Sequence, residues 1–236
     1  MTMLVSVHIP KTGGTNLTRE IRRGAMGRYL LDYGDRPSMV GLDYEVRRFL
    51  GRLRIVLTKQ NLLRDYDVIH GHFVADKYRS LLPLASFIVF LREPVERTVS
   101  HYAYWKYQAN RTGVNRRSAL QQSVQSGAMS LAEFAEHPVP RHIYRRFLGS
   151  MQLVDFAFVG LLERYEQSIE MLNRMFGLQV QARHERRGSK ERVSAAELAA
   201  ARRTLERCNA ENLEIYEQAK RIFRDQCKRF GMHCDL

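Results

Sequence analysis

A lysine, two adjacent glycines and flanking hydroxyls occur together near the start of the chain, in His8-Ile9-Pro10-Lys11-Thr12-Gly13-Gly14-Thr15. These residue types suit a bound phosphate. Gly13 and Gly14 allow a tight turn that points backbone amides at phosphate oxygens, and Thr12 and Thr15 carry hydroxyl donors. Lys11 brings a charge whose effect is greatest where a phosphate departs. The order of the residues also excludes something. A Walker loop places its lysine after the last glycine and follows it with a hydroxyl that holds magnesium, whereas Lys11 precedes the glycine pair. The pattern argues against magnesium-dependent phosphoryl transfer, and an ordinary strand-to-helix turn would use the same residues.

Two further groups carry chemistry. His70-Gly71-His72-Phe73 offers imidazoles that, when neutral, can take a proton from a hydroxyl nucleophile. Two histidines at this spacing also occur in metal sites and as hydrogen-bonded core residues, and no nearby acid or cysteine completes a ligand set. Arg92 and Ser100 form the third group, a planar cationic donor and a short neutral one. Pairing of Arg92 with Glu93 or Glu96 is the plain alternative.

The elements that must position these residues read as alternating strands and helices. Residues 3–9 form a first strand, and a helix starts near Asn16 with Leu17 and Ile21 on one side. Leu53–Leu57 reads as a second strand, Asp67–His70 as a third, and Ser86–Leu91 as the clearest buried one. Pro94 fits the first turn of a helix that turns Val95, Val99 and Tyr102 inward and Arg97 and His101 to another face. Short helices follow near 129–136 and 141–148, then a strand near 156–160 and a helix at 161–176. The expected fold class is α/β: a three-layer α/β/α unit with a mostly parallel sheet and additional C-terminal helices. The length fits a single domain over 1–236, with a substrate-facing insertion around 106–150 and a helical section at 195–230.

The 236 residues carry 38 Lys and Arg against 25 Asp and Glu, a formal charge of +13 that favours a polyanionic partner. The basic residues are dispersed, and neither an aromatic-and-basic run nor zinc-finger spacing supports specific nucleic-acid reading. The three cysteines, Cys208, Cys227 and Cys234, fit reduced thiols. No leader or membrane-spanning run is visible, so the expected location is the cytoplasm, with peripheral attachment to the inner membrane left open.

Taken in order, His8–Thr15, His70–Phe73 and Phe90–Tyr102 resemble the carbohydrate sulfotransferases, in particular the family containing heparan sulfate 2-O-sulfotransferase and uronyl 2-O-sulfotransferase. A looser likeness extends through Phe158–Ser168 and Asn212–Tyr216. The resemblance implies a P-loop-like fold and a donor, 3′-phosphoadenosine 5′-phosphosulfate (PAPS), which leaves as 3′,5′-adenosine bisphosphate (PAP), with no metal required. It assigns the 5′-phosphosulfate to Lys11, Thr12, Gly13, Gly14 and Thr15, and the 3′-phosphate to Arg92 and Ser100. It makes His72 the first choice of base and His70 the second. A late basic loop, represented by Arg187 and Gly188, would sit near the nucleotide, although a solvated charge run reads similarly. Animal members of the family are larger Golgi membrane proteins, so the chain looks like a compact bacterial-type enzyme. The implied acceptor is a hydroxyl on a glycan or glycolipid intermediate; a small hydroxylated metabolite, and a non-catalytic nucleotide- or polyanion-binding module, are the alternatives.

Overall fold

The computed structural model describes residues 2–24, 28–35, 37, 42–107, 118–182 and 193–234. Five short strands, β1 (Leu4–Val7), β2 (Tyr29–Asp32), β3 (Val68–Gly71), β4 (Ser86–Leu91) and β5 (Phe158–Leu161), form one sheet in the order β2-β3-β1-β4-β5. Every described pairing is parallel. Parallel strands covered on both faces need apolar residues at consecutive positions. Val5, Ile69, Ile88, Val89, Phe158 and Val159 are accordingly all fully buried.

Helices fill the connections: α1 (Gly14–Gly24), α2 (Leu42–Asp65), α3 (Asp76–Arg79), α4 (Pro94–Tyr107), α5 (Ala119–Gln125), α6 (Leu131–Glu136), α7 (Pro138–Arg141), α8 (Ile143–Leu148), α9 (Tyr165–Phe176), α10 (Ala195–Cys208) and α11 (Ala210–Arg229). The chain leaves β1 toward β2 on one side, and leaves β4 toward β5 on the other. Such a reversal opens a crevice at the carboxyl ends of the strands, the usual ligand position in open α/β sheets. The Lys11 loop follows β1 and Arg92 follows β4, so both border that crevice.

Several expectations need correction. Leu53–Leu57 is not a strand but lies within α2, and the edge strand is Tyr29–Asp32. The β-branched Ile55 and Val56 give the segment a strand-like composition, but only Ile55 of this pair is buried. The strand β2 survives as an edge through close backbone contact. A Cβ on Gly71 would stand 1.8 Å from the Asp32 carbonyl oxygen, so only glycine lets β2 approach β3 at that point.

The start of α4 forms as expected. Pro94 occupies the first helical position, while the Glu93 carboxylate accepts from the amides of Val95 at 3.1 Å and Glu96 at 2.6 Å. Val99 and Tyr102 face inward as expected, but the helix has no separate polar face at Arg97 and His101. Arg97 and His101 are 0% and 3% exposed, whereas Val95 is only half-buried. The reason is that α4 packs against α5, α6, α10 and α11, which cover the side that carries Arg97 and His101.

Candidate functional site

The loop between β1 and α1 has the geometry of an anion cradle. Lys11 has a φ of 73° and Gly13 one of 92°, both left-handed. For lysine this conformation costs energy that the surrounding fold must offset, and alternating backbone handedness turns successive amides toward one point. The first amides of α1 lack intrahelical acceptors and add partial positive charge there. The loop is held from beneath: the buried Thr12 hydroxyl donates to the Ile9 carbonyl at 2.9 Å. That bond directs the Thr12 hydroxyl proton into the loop, leaving the Thr12 amide for a ligand, while Thr15 is exposed. Asn16 ties the helix start to the far side of the sheet by donating to the Tyr165 hydroxyl at 3.0 Å.

Three imidazoles gather beside this loop. His8 stacks on His70 with centroids 5.0 Å apart and meets His72 edge-on at 4.5 Å. His8 was not among the sequence candidates, although its place one residue beyond β1 and just before the glycines was a usable signal. Its ring lies so close to the start of α1 that a Cβ on Gly14 would be 1.9 Å from Nε2. Gly14 thus serves the ring as well as the turn.

Hydrogen bonding separates His70 from His72. Thr18 has one hydroxyl proton and donates it to the Gly14 carbonyl at 2.7 Å. His70 Nε2 must therefore be the donor across the 2.8 Å contact to Thr18 Oγ1. That tautomer leaves Nδ1 to accept from Ser6 Oγ at 2.9 Å. Both nitrogens of the fully buried His70 are satisfied. His72, in contrast, has a buried Nε2 with no hydrogen-bond partner, as does His8 at Nδ1. Tyr33 at 4.8 Å and Phe147 at 6.0 Å meet the His72 ring edge-on.

Burial keeps the whole cluster neutral at ordinary pH. It lowers His70 to about 3 and His72 to about 4. Burial first, then the neighbouring imidazoles and Lys11, holds His8 well below the usual histidine range. His101 is depressed by burial and then by Arg97, with Lys11 and His72 adding smaller effects. These influences place Lys11 electrostatically against both the histidines and α4. The Lys11 ammonium also lies 4.3 Å from the centroid of the Tyr104 ring.

The third candidate group is less converged. Ser100 is buried on the α4 face it shares with Tyr104, one turn on, and so faces the Lys11 side. Arg92 forms a 3.5 Å ion pair with Glu96, the plain alternative raised by the sequence, and its carbonyl accepts from the Tyr144 hydroxyl. Behind it, Arg97 is fully buried; Nη2 donates to Thr98 Oγ1 at 3.2 Å and Nη1 lies 3.4 Å from His101 Nδ1. Burial lowers the Arg97 guanidinium to about 10, leaving it charged at neutral pH. Arg187 and Gly188 lie outside the described residues. Among the described residues, no group of three His, Cys, Asp or Glu has the geometry to hold a metal ion.

The arrangement suits a phosphate-like anion. Lys11, Gly13 and the α1 start provide the cradle, Arg92 borders the same crevice, and His72 presents a buried ring nitrogen without a hydrogen-bond partner. No family model matches the chain, and no curated protein matches its sequence. Among solved structures it is similar to a sulfotransferase from Alicyclobacillus acidocaldarius, 16% identical over 89% of this chain and 95% of that one, with a TM-score of 0.45. A mouse sulfotransferase complexed with PAP is 12% identical over 86% of this chain and 63% of that one, at 0.39. Retinol dehydratase in complex with androsterone and inactive cofactor PAP is 13% identical over 100% and 82% of the two chains, at 0.30. At these scores the likeness carries no argument about function, which rests on the residues of the crevice.

Proposed function

We infer that the protein is a PAPS-dependent O-sulfotransferase whose acceptor is a hydroxyl on a glycan or glycolipid-type molecule. The observation that carries this reading is the loop with left-handed Lys11 and Gly13 beside His72, a neutral imidazole whose buried Nε2 has no partner. The donor, when bound, supplies an activated sulfuryl group. Lys11 and the loop amides hold the 5′ end and neutralise charge growing on the departing phosphate. Arg92 and Ser100 hold the 3′-phosphate, which requires Arg92 to exchange Glu96 for the ligand. His72 accepts the acceptor's hydroxyl proton, and its proton affinity rises as negative charge is brought to the adjacent loop. Tyr33 and Phe147 pack around its ring, so the turn after β2 and helix α8 help to shape the acceptor side. Positioning and charge stabilisation supply most of the acceleration.

The test is to incubate purified protein with labelled PAPS and candidate alcohols, and to measure PAP binding separately. Lys11→Ala is expected to lower turnover by about 10²–10³, comparable with removing one donor to a developing negative charge. Turnover without an acceptor alcohol, or failure to bind either PAPS or PAP, would sink the proposal. PAP binding without transfer to any alcohol would favour the non-catalytic module. Mass analysis of the sulfated product from a cell extract distinguishes glycan, glycolipid and small-metabolite acceptors.

A further inference from the structure

We propose that the outward face of α2 is a docking surface for an anionic lipid bilayer. Val46, Phe49, Leu50, Leu53, Val56 and Leu57 are between 45% and 76% exposed. At about 100° per residue these positions fall on one continuous stripe covering roughly a third of the helix circumference. Tyr44, Ile55 and Leu62 point the opposite way and are buried. The helix is therefore anchored along one side and presents large apolar groups along the other. Scattered exposed apolar residues need no explanation, but a contiguous stripe marks an interaction surface.

Charge selects the occupant. Arg47 and Arg54 fall on one border of the stripe; on the other lie Lys59, Arg52, whose guanidinium is paired with Asp76, and the acidic Glu45. Long basic side chains beside an apolar stripe can lay their stems along a bilayer and place their charges among anionic headgroups. The overall charge of +13 acts in the same direction. A second copy packed on the same stripe would bring two sets of basic borders together. No helix among the described residues is long and apolar enough to cross a membrane, so the mode is lying in the interface.

The inner anchors make the surface testable without disturbing the fold. Tyr44 packs beneath the Arg146 guanidinium at 5.0 Å, while Arg48 and Arg52 reach Asp76 at 3.3 and 3.5 Å. Because α2 links the carboxyl end of β2 to the amino end of β3, it begins at the sheet edge that carries His72. Docking along α2 would therefore hold that edge near the lipid surface. This inference does not depend on sulfuryl transfer, since vesicle binding needs neither donor nor acceptor.

The full chain should float with vesicles of equal parts phosphatidylglycerol and phosphatidylcholine, less so as salt rises, and not with phosphatidylcholine alone. Joint Phe49→Ser, Leu53→Ser and Leu57→Ser substitution should weaken vesicle binding by about a hundredfold or more without altering circular dichroism. Joint Arg47→Ser and Arg54→Ser should weaken it by about tenfold or more, and carries the test if the serine triple unfolds. Absence of wild-type flotation, or equal binding by wild type and the folded variants, would overturn the proposal. So would a concentration-dependent dimer that the serine triple converts to monomer, which would assign the stripe to a second copy.

Discussion

His70 lies in β3 with both ring nitrogens hydrogen-bonded, whereas His72, two residues on, keeps a buried Nε2 with no partner. Strand geometry alone would point both side chains the same way. The chain leaves the strand after Gly71, and the second ring meets Tyr33, Phe147 and His8 instead of a hydroxyl pair. Residue type thus says little about role: the first imidazole is fixed by its neighbours, and the second has an atom available for chemistry.

The broadest way to probe that contrast is acid. The folded-state affinities of His8, His70, His72 and His101 lie below the ordinary histidine value near 6.5, so the unfolded chain takes up protons first. Stability should be fully present above about pH 6.5 and fall as pH drops toward 4, by about 1.4 kcal/mol per pH unit for each histidine involved. Urea unfolding at neutral and mildly acidic pH measures the slope, and a midpoint unchanged down to pH 5 would contradict the buried neutral cluster.

His72→Ala sharpens the contrast at the level of activity. Removing the proton acceptor should lower turnover by about 10²–10⁴ while leaving PAP binding intact. If His8→Ala removes turnover and His72→Ala does not, the base is His8. The smallest expected effect belongs to His70→Ala, which leaves the Ser6 and Thr18 hydroxyls without their ring partner. It should cost about 1–3 kcal/mol in unfolding free energy, with turnover per folded molecule within a few-fold of wild type. A loss of turnover equal to that of His72→Ala, at unchanged stability, would collapse the distinction.

Much of this architecture was legible in the sequence because the informative residues are local. The apolar runs of β1 and β4, the glycines after β1 and Pro94 at the start of α4 each carry their structural reason within a few positions. What escaped depends on distant neighbours. Arg97 and His101 look like surface residues until α6, α10 and α11 close over α4. Ile55 and Val56 look like a strand because α2 carries apolar groups on its outer face as well as its inner one, which erases the helical period. The saturation of His70 was hidden for the same reason, since its hydroxyl partners Ser6 and Thr18 come from β1 and α1.

The contact between Gly71 and the Asp32 backbone has a consequence for any attempt to redesign the crevice. A side chain at 71 would push out the edge strand whose Asp32 carboxylate accepts from Lys77 at 2.6 Å and the Tyr78 hydroxyl at 2.8 Å. A library spanning residues 70–72 therefore has two positions open to variation, not three. Directed evolution of the imidazoles must inherit the glycine between them, and with it the edge of the sheet.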